Sequence, residues 1–264
     1  MDIEKALNMA KRLALEQGRK LAAGLEHIYV AERKGPEGID LATNADREIE
    51  QALVEKLRRA FPQTGFQVEE QRGLEKTAEY QWIIDPIDGT KYFASGVPLF
   101  CISIGLVRNG DPVLGVIYNP VSKQLYSGSL NSPAECNGRK TRILETNDLA
   151  HTMVSVDFSK NTETWPQVGV WVTEKLGLLV SRSYRVRMLG TGALSLAWVA
   201  SGSVVSSFCT LAGGTKLVDV AAGLAICKAA GATVKILKSP INGEPEFIVG
   251  AERIVKDIEE IVQS

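Results

Sequence analysis

Apolar residues near the start of the chain recur at helical spacing. Ile3, Leu7, Ala10, Leu13, Ala14 and Leu21 fall on one face, which predicts an amphipathic helix over residues 3–22. Residues 25–42, with Gly35, Pro36 and Gly38, read as a strand followed by a loop. A second helix is predicted from about 44 to 60, closed by Pro62. Strand candidates at 64–68 and 81–84 flank a charged loop. From Leu99 to Gly128 the pattern changes to short apolar runs at 99–104, 113–117 and 123–126. Asn109-Gly110 is a hairpin-type turn between the first two, so this stretch predicts an antiparallel meander. Beyond about residue 145, strands at 152–156, 184–188, 204–208 and 232–236 alternate with helices at 161–177, 192–201, 218–230 and 251–262. That order predicts an α/β arrangement. No internal repeat, low-complexity segment or long linker interrupts it. The expectation is two parts sharing a cleft: an N-terminal α+β half with an antiparallel sheet over 1–145, and a C-terminal α/β half over 146–264.

Composition narrows the chemistry. The 264 residues are 45% hydrophobic and 23% charged, with a formal net charge of -1. Bulk charge gives no sign of a nucleic-acid or membrane surface. The pairs Glu69-Glu70 and Glu259-Glu260 are too short to be a charged block. No run of roughly 18 apolar residues offers a membrane span; Ala193 to Val205 is shorter and carries Ser195, Ser201, Gly202 and Ser203. The start Met1-Asp2-Ile3-Glu4 lacks the basic and apolar regions of a secretory signal. Cys101, Cys136, Cys209 and Cys227 form no CxxC pair, and reduced thiols in a cytoplasmic protein are expected. His27 and His151 are isolated, which argues against a histidine-rich zinc site. No serine sits in a GxSxG context. Carboxylates and a hard metal remain as tools.

The central feature is Trp82-Ile83-Ile84-Asp85-Pro86-Ile87-Asp88-Gly89-Thr90, an apolar run ending in two acids. A buried strand that delivers charge at its carboxyl end places it at a cleft edge. Burying Asp85 and Asp88 is costly unless a cation compensates. Pro86 fixes the chain direction, so both acids and the carbonyl of Ile87 can converge. Oxygen-only ligation of that kind suits Mg²⁺. Gly89 permits close backbone approach, and exposed N–H groups at Gly89 and Thr90 can hold a phosphate. The plainer alternative makes Asp88-Gly89 a turn and Asp85 a strand-end cap. Haloacid-dehalogenase-type phosphatases use D-x-D-G-T; their acids are two residues apart, whereas Asp85 and Asp88 are three apart.

Trp82 to Thr90 resembles the first signature of the inositol monophosphatase family, and Asp219-Val220-Ala221-Ala222-Gly223 is similar to the second. Asp40 to Asp46 is similar to the family's DLVTxxD segment, Phe66-Gln67-Val68-Glu69-Glu70 to FxGEE, and Gly190-Thr191-Gly192-Ala193-Leu194 to GSxAL before a helix. The resemblance spans most of the chain. It implies an α/β fold, a layered αβαβα sandwich, and hydrolysis of a small phosphomonoester by water with two or three Mg²⁺ ions. By the same resemblance, Glu69, Asp85 and the Ile87 carbonyl bind a first, activating metal; Asp85, Asp88 and Asp219 bind a second. Thr90 with Asp46 orients the water, with Glu69 the other catalytic acid. Asp88, Gly89, Thr90, Gly192 and Lys216 meet the substrate. Each acid has a structural alternative: Asp46 in a capping box with Thr43, Asp219 as N-cap of helix 220–230, Glu69 or Glu70 as a solvated loop acid.

The departures concern Val68 where the family has glycine, Val218 where it often has tryptophan, and the segment Phe208 to Lys216, which holds no acid. Inositol-specific members usually carry an acid there, and losing an acceptor lowers discrimination for a polyol. Asp88-Gly89-Thr90-Lys91 is similar to the DGTK of 3′-phosphoadenosine 5′-phosphate phosphatases, and Gly213-Gly214-Thr215 before Asp219 to their GPTxxWD. Lys91 and Lys216 then either meet a second phosphate or lie on the surface. Gly96 to Gly105 resembles the inositol and sugar phosphatase branch instead. Arg185 and Arg187 either touch substrate or face solvent. The expected substrate is an inositol or sugar phosphate. The alternatives are a 3′-phosphonucleotide, fructose 1,6-bisphosphate, or a catalytically silent binding protein of the same fold. The resemblance also implies a homodimer and lithium sensitivity; the expected partner is a small phosphate ester, with no nucleic acid and no membrane.

Overall fold

The computed structural model describes residues 1–23, 30–34, 40–70, 78–158, 165–203, 205–212, 215–239, 243 and 245–264. The chain begins with α1 (Ile3–Ala23), whose apolar stripe is buried as its period predicts. β1 (Val30–Lys34) and β2 (Asp40–Thr43) form an antiparallel pair. The expected loop therefore includes a second strand; His27, Gly35, Pro36 and Gly38 lie outside the described residues. α2 (Asn44–Ala60) follows, then β3 (Gly65–Val68), β4 (Tyr80–Asp88) and the short α3 (Thr90–Ala94). β5 (Cys101–Arg108), β6 (Asp111–Asn119) and β7 (Gln124–Ser129) are the expected meander, turning at Asn109 and Gly110, both at positive φ. β8 (Ser132–Cys136) and β9 (Arg139–Lys140) extend it. β3 to β9 make a seven-stranded sheet in sequence order, antiparallel except for the parallel pair β3–β4.

The second sheet contains β10 (Met153–Asp157), β11 (Arg185–Arg187) and β12 (Val205–Thr210), all parallel. α4 (Trp165–Arg182) connects the first two and α5 (Gly192–Ala200) leads to the third. α6 (Leu217–Ala229), β13 (Thr233–Lys238), β14 (Pro245–Gly250) and α7 (Glu252–Gln263) complete the chain. The sheet order is β11-β10-β12-β14-β13, with β14 antiparallel to both neighbours. Strict strand–helix alternation thus fails at the end: β14 was not expected, and it makes a hairpin with β13.

The layers follow from which faces are apolar. α1 and α2 cover one face of the seven-stranded sheet, packing Leu13, Leu53 and Leu57 near Trp82, Ile84, Ile104 and Val116. α5 and α6 cover the other face and separate the two sheets, while α4 and α7 close the far side. The result is an αβαβα sandwich. Because the large sheet is buried on both faces, β5 and β6 read as continuous apolar runs rather than alternating ones. α6 is apolar nearly all round, the pattern of a helix buried between layers.

A row of glycines sets how closely α6 approaches the sheet. Gly105, Gly115 and Gly128 are cross-strand partners on β5, β6 and β7. A Cβ on Gly115 would lie 1.9 Å from the Ala222 carbonyl oxygen, and one on Gly128 2.9 Å from the Ala229 Cβ. α6 therefore rests in a trough of bare backbone. Gly115→Ala is expected to destabilise the protein by about 3 kcal/mol through overpacking. Gly177→Ala on the exposed side of α4, with open space around it, should be neutral or stabilising by up to about 1 kcal/mol. Urea unfolding of the two variants checks the contrast.

Candidate metal and phosphate site

The expected strand at 81–84 continues through the acids themselves, because β4 runs to Asp88. Its pairing with β5 is regular up to Asp85 opposite Ser103, then shifts so that Asp88 faces Cys101. Three steps on β4 match two on β5, which is a bulge. Positions three apart on a regular strand face opposite ways; the extra residue lets both acids reach one side. Pro86 has no N–H to lose from the ladder. The Ile87 N–H donates to Asp85 Oδ1 at 2.9 Å and fixes that carboxylate against its own backbone.

Gly89 then turns the chain at φ 88, where a Cβ would sit 2.5 Å from the Leu99 carbonyl oxygen. Only glycine fits both the angle and the space. Thr90 Oγ1 lies 2.8 Å from the Ile87 carbonyl oxygen and 3.2 Å from Asp46 Oδ1. Asp46 is fully buried in the first turn of α2; the Thr43 side chain lies outside the described residues. Asp88 Oδ2 accepts from the Ala193 N–H at 3.0 Å, from the first turn of α5. Asp219 is not an N-cap: α6 starts earlier, at Leu217, and Asp219 Oδ2 reaches back to accept from the Lys216 N–H at 2.8 Å.

Glu69, Asp85, Ile87, Asp88, Gly89, Thr90 and Asp219 border one cavity of about 420 Å³, with Lys91, Tyr92, Leu189 and Gly190 completing the wall. Tyr92 Oη donates to the Leu189 carbonyl at 2.6 Å and ties α3 to the α5 approach. Residue 219 thus meets residues 69, 85 and 88. Lys216 is exposed and is not among these lining residues; its backbone, not its ammonium, touches the site. Gly192 is buried behind Gly190. Arg185 and Arg187 are exposed on an edge strand, and His151 is exposed with Nδ1 2.7 Å from Asp148 Oδ2. Gly213 and Gly214 lie outside the described residues. A larger hollow of about 820 Å³ runs along α2 beside Arg47, Arg58 and Glu70, but it gathers none of the four converging acids.

Burial, and then the charges of Glu69, Asp88 and Asp219, push the Asp85 carboxyl well above the usual carboxylate range. Burial, and then Asp219 and Asp157, raise Asp88 likewise, against the Ala193 N–H. The Cys101 thiol, 3.8 Å from Asp88 Oδ2, is pushed up by burial and by both aspartates. Negative charge thus accumulates, Lys91 is the one cation among the described residues lining the cavity, and the side-chain donors of the four acids are oxygens. This set fits a hard divalent cation. Among the described residues, no three acid, cysteine or histidine side chains are already drawn tightly enough to enclose an ion.

Asp157 was not anticipated. It ends β10, and its Oδ1 accepts from the Gly190 N–H at 3.3 Å. Its signal was a weaker form of the one that exposed Asp85: a short strand, Met153-Val154-Ser155-Val156, ending in an acid. Cys101 and Ala193 also went unforeseen, because only the register places them beside Asp88.

The sequence profile of the inositol monophosphatase family matches residues 2–263. An inositol-1-monophosphatase from Mesorhizobium japonicum is 34% identical over 86% of this chain and 84% of its own length. A protein named Nus factor SuhB from Xylella fastidiosa is 32% identical over 87% of this chain and 81% of its own. The solved inositol monophosphatase of Anabaena superposes with a TM-score of 0.83 at 28% identity, covering 100% of this chain and 97% of that one.

The raised carboxyls give a pH signature. Their folded-state pKa lies above the unfolded value near ~3.9, so the metal-free fold gains stability from these protons below that pH and loses it as pH rises through the raised values. A divalent cation replaces the lost protons. Chelator-treated protein should therefore melt at lower temperature as pH increases from 5 to 8, and added Mg²⁺ should raise the midpoint more at pH 8 than at pH 5. At 100-fold excess over Kd the gain is about 2.7 kcal/mol. Scanning calorimetry with and without the ion tests this.

Proposed function

The chain belongs to the inositol monophosphatase family, and from that premise we propose that its acid-lined cavity hydrolyses a small inositol or sugar phosphate with water as nucleophile and magnesium as cofactor. The chain is a phosphoric monoester hydrolase. The observation that carries the reading is the meeting of Glu69, Asp85, Asp88 and Asp219 around one cavity beside the Gly89 turn.

In this reading Glu69, Asp85 and the Ile87 carbonyl would hold one ion, and Asp85, Asp88 and Asp219 a second. Magnesium there would supply a lowered pKa for water and positive charge to offset the attacking and leaving oxygens. The chain supplies the positioning. Thr90 Oγ1 gives its hydrogen to the Ile87 carbonyl or to Asp46, which leaves its lone pairs to accept from the water and aim it. Gly89 and Thr90 offer backbone N–H groups to the phosphate. Leu189 and Gly190 line the same cavity, and in this reading they face the alcohol. No side chain needs to form a covalent phosphoenzyme; burial keeps the nearest thiol, Cys101, protonated and a poor nucleophile.

The same reading divides the chain into halves near residue 145, one carrying each sheet, and takes it to be a cytoplasmic homodimer. Exposed Val180, Tyr184 and Met188 around the edge strand β11 support self-association. Among the described residues no helix is long and apolar enough to cross a membrane. A 3′-phosphonucleotide is supported by Lys91 alone, since Lys216 points its charge to solvent. A second reading, a binding role without catalysis, is favoured by the name Nus factor that several relatives bear; the full set of acids supports the enzyme.

Asp88→Asn should lower kcat/KM for Mg²⁺-dependent phosphate release by about 100-fold or more, with the circular dichroism spectrum and melting behaviour retained. Near wild-type turnover would overturn the assignment. Inositol 1-phosphate should be preferred over 3′-phosphoadenosine 5′-phosphate in kcat/KM, and a wild-type protein with no Mg²⁺-dependent turnover on any phosphomonoester would favour the binding role.

A further inference from the structure

Asp157 has a setting that the metal and water chemistry does not use. It stands at the carboxyl edge of the parallel strands β10 and β12, where α/β sheets present groups to ligands. Val154 and Val156 before it are buried, while Asp157 is only partly so. Its Oδ1 takes the N–H of Gly190, a residue of the cavity wall. Among the described residues, no donor or cation is found on Oδ2. A Cβ on Gly192 would lie 3.5 Å from Oδ2 and 3.3 Å from the Asp219 carbonyl oxygen. The missing side chain therefore leaves a gap of about one methyl group between Oδ2 and the start of α6.

Asp157 joins the site through the Gly190 N–H, and Gly190 lines the cavity together with Leu189. In the phosphatase reading the alcohol part of the ester sits along that wall. The neighbouring segment Phe208 to Ala212 brings no acid of its own. A half-buried carboxylate with one oxygen satisfied and the other open is costly until a donor arrives.

We infer that Asp157 is a specificity-determining residue, whose Oδ2 accepts a hydrogen bond from a hydroxyl neighbouring the ester carbon of a polyhydroxy alcohol. The inference rests on the phosphatase reading of the cavity and narrows its substrates to esters of polyols. No bond is made or broken at Asp157; it selects by leaving itself unpaired when the hydroxyl is missing.

The experiment compares wild type with Asp157→Asn and Asp157→Ala, in Mg²⁺, on inositol 1-phosphate and on p-nitrophenyl phosphate, which has no neighbouring hydroxyl. Both variants should raise KM for inositol 1-phosphate and lower its kcat/KM by about 10- to 100-fold, while kcat/KM for p-nitrophenyl phosphate and half-saturation by Mg²⁺ change less than about 3-fold. The asparagine, which keeps an acceptor oxygen, should lose less than the alanine. Equal losses on both substrates, or a shifted Mg²⁺ requirement, would overturn the inference and make Asp157 part of the metal support. If the alanine variant does not fold, the asparagine variant carries the same comparison. A wild-type protein inactive on both esters would instead remove the phosphatase reading itself, so the two failures are distinguishable.

Discussion

Like charges repel, and this fold holds several of them together where water is scarce. Asp85 and Asp88 are almost completely buried, with Glu69 and Asp219 at the same cavity. Nothing in the local sequence favours that meeting; each carboxylate would be better solvated elsewhere. The stability that permits it comes from the apolar clusters on either side, one under α1 and α2 and one around α5 and α6. The acids sit at the ends of elements whose other residues are core. Strand β4 shows the arrangement most directly: Trp82, Ile83 and Ile84 are fully buried, and the charges come only where the ladder breaks.

Local backbone hydrogen bonds restrain each acid before any ligand arrives. Asp85 is held by the Ile87 N–H, Asp88 by Ala193, and Asp219 by Lys216. Each bond fixes one named oxygen: Asp85 Oδ1, Asp88 Oδ2 and Asp219 Oδ2. The site is in that sense preorganised: the backbone sets the directions of the side chains, and a cation has only to draw them together. Asp46 and Thr90 form a second anchored pair, joining α2 to the start of α3.

Much of this could be read from the residues. Helical periodicity located α1 and α2 to within a residue or two, and the run ending in Asp85 and Asp88 located the cavity. Three further motifs named Asp46, Glu69 and Asp219. What could not be read depended on pairing. β14 pairs with its sequence neighbour β13, but its insertion between β13 and β12 is a tertiary choice. The bulge that turns Asp85 and Asp88 to one side shows only in the register with β5. Asp157 carried a legible signal, yet with only one acid and no following glycine it looked like an ordinary strand end. Lys216 is exposed at the start of α6, and its printed link to the site is the backbone N–H that Asp219 accepts, a detail of capping that sequence does not reveal.

The glycine trough beneath α6 has a bearing on evolvability. Because Asp219 rides on a helix pressed against bare strands, the distance from it to Asp85 and Asp88 is fixed by backbone thickness, not by any replaceable side chain. A lineage built on this scaffold can trade one alcohol for another by altering the wall at Leu189 and Gly190 or the acid at the end of β10. The catalytic spacing itself stays out of reach of gradual change, since the smallest available step, a single methyl group, is already too large.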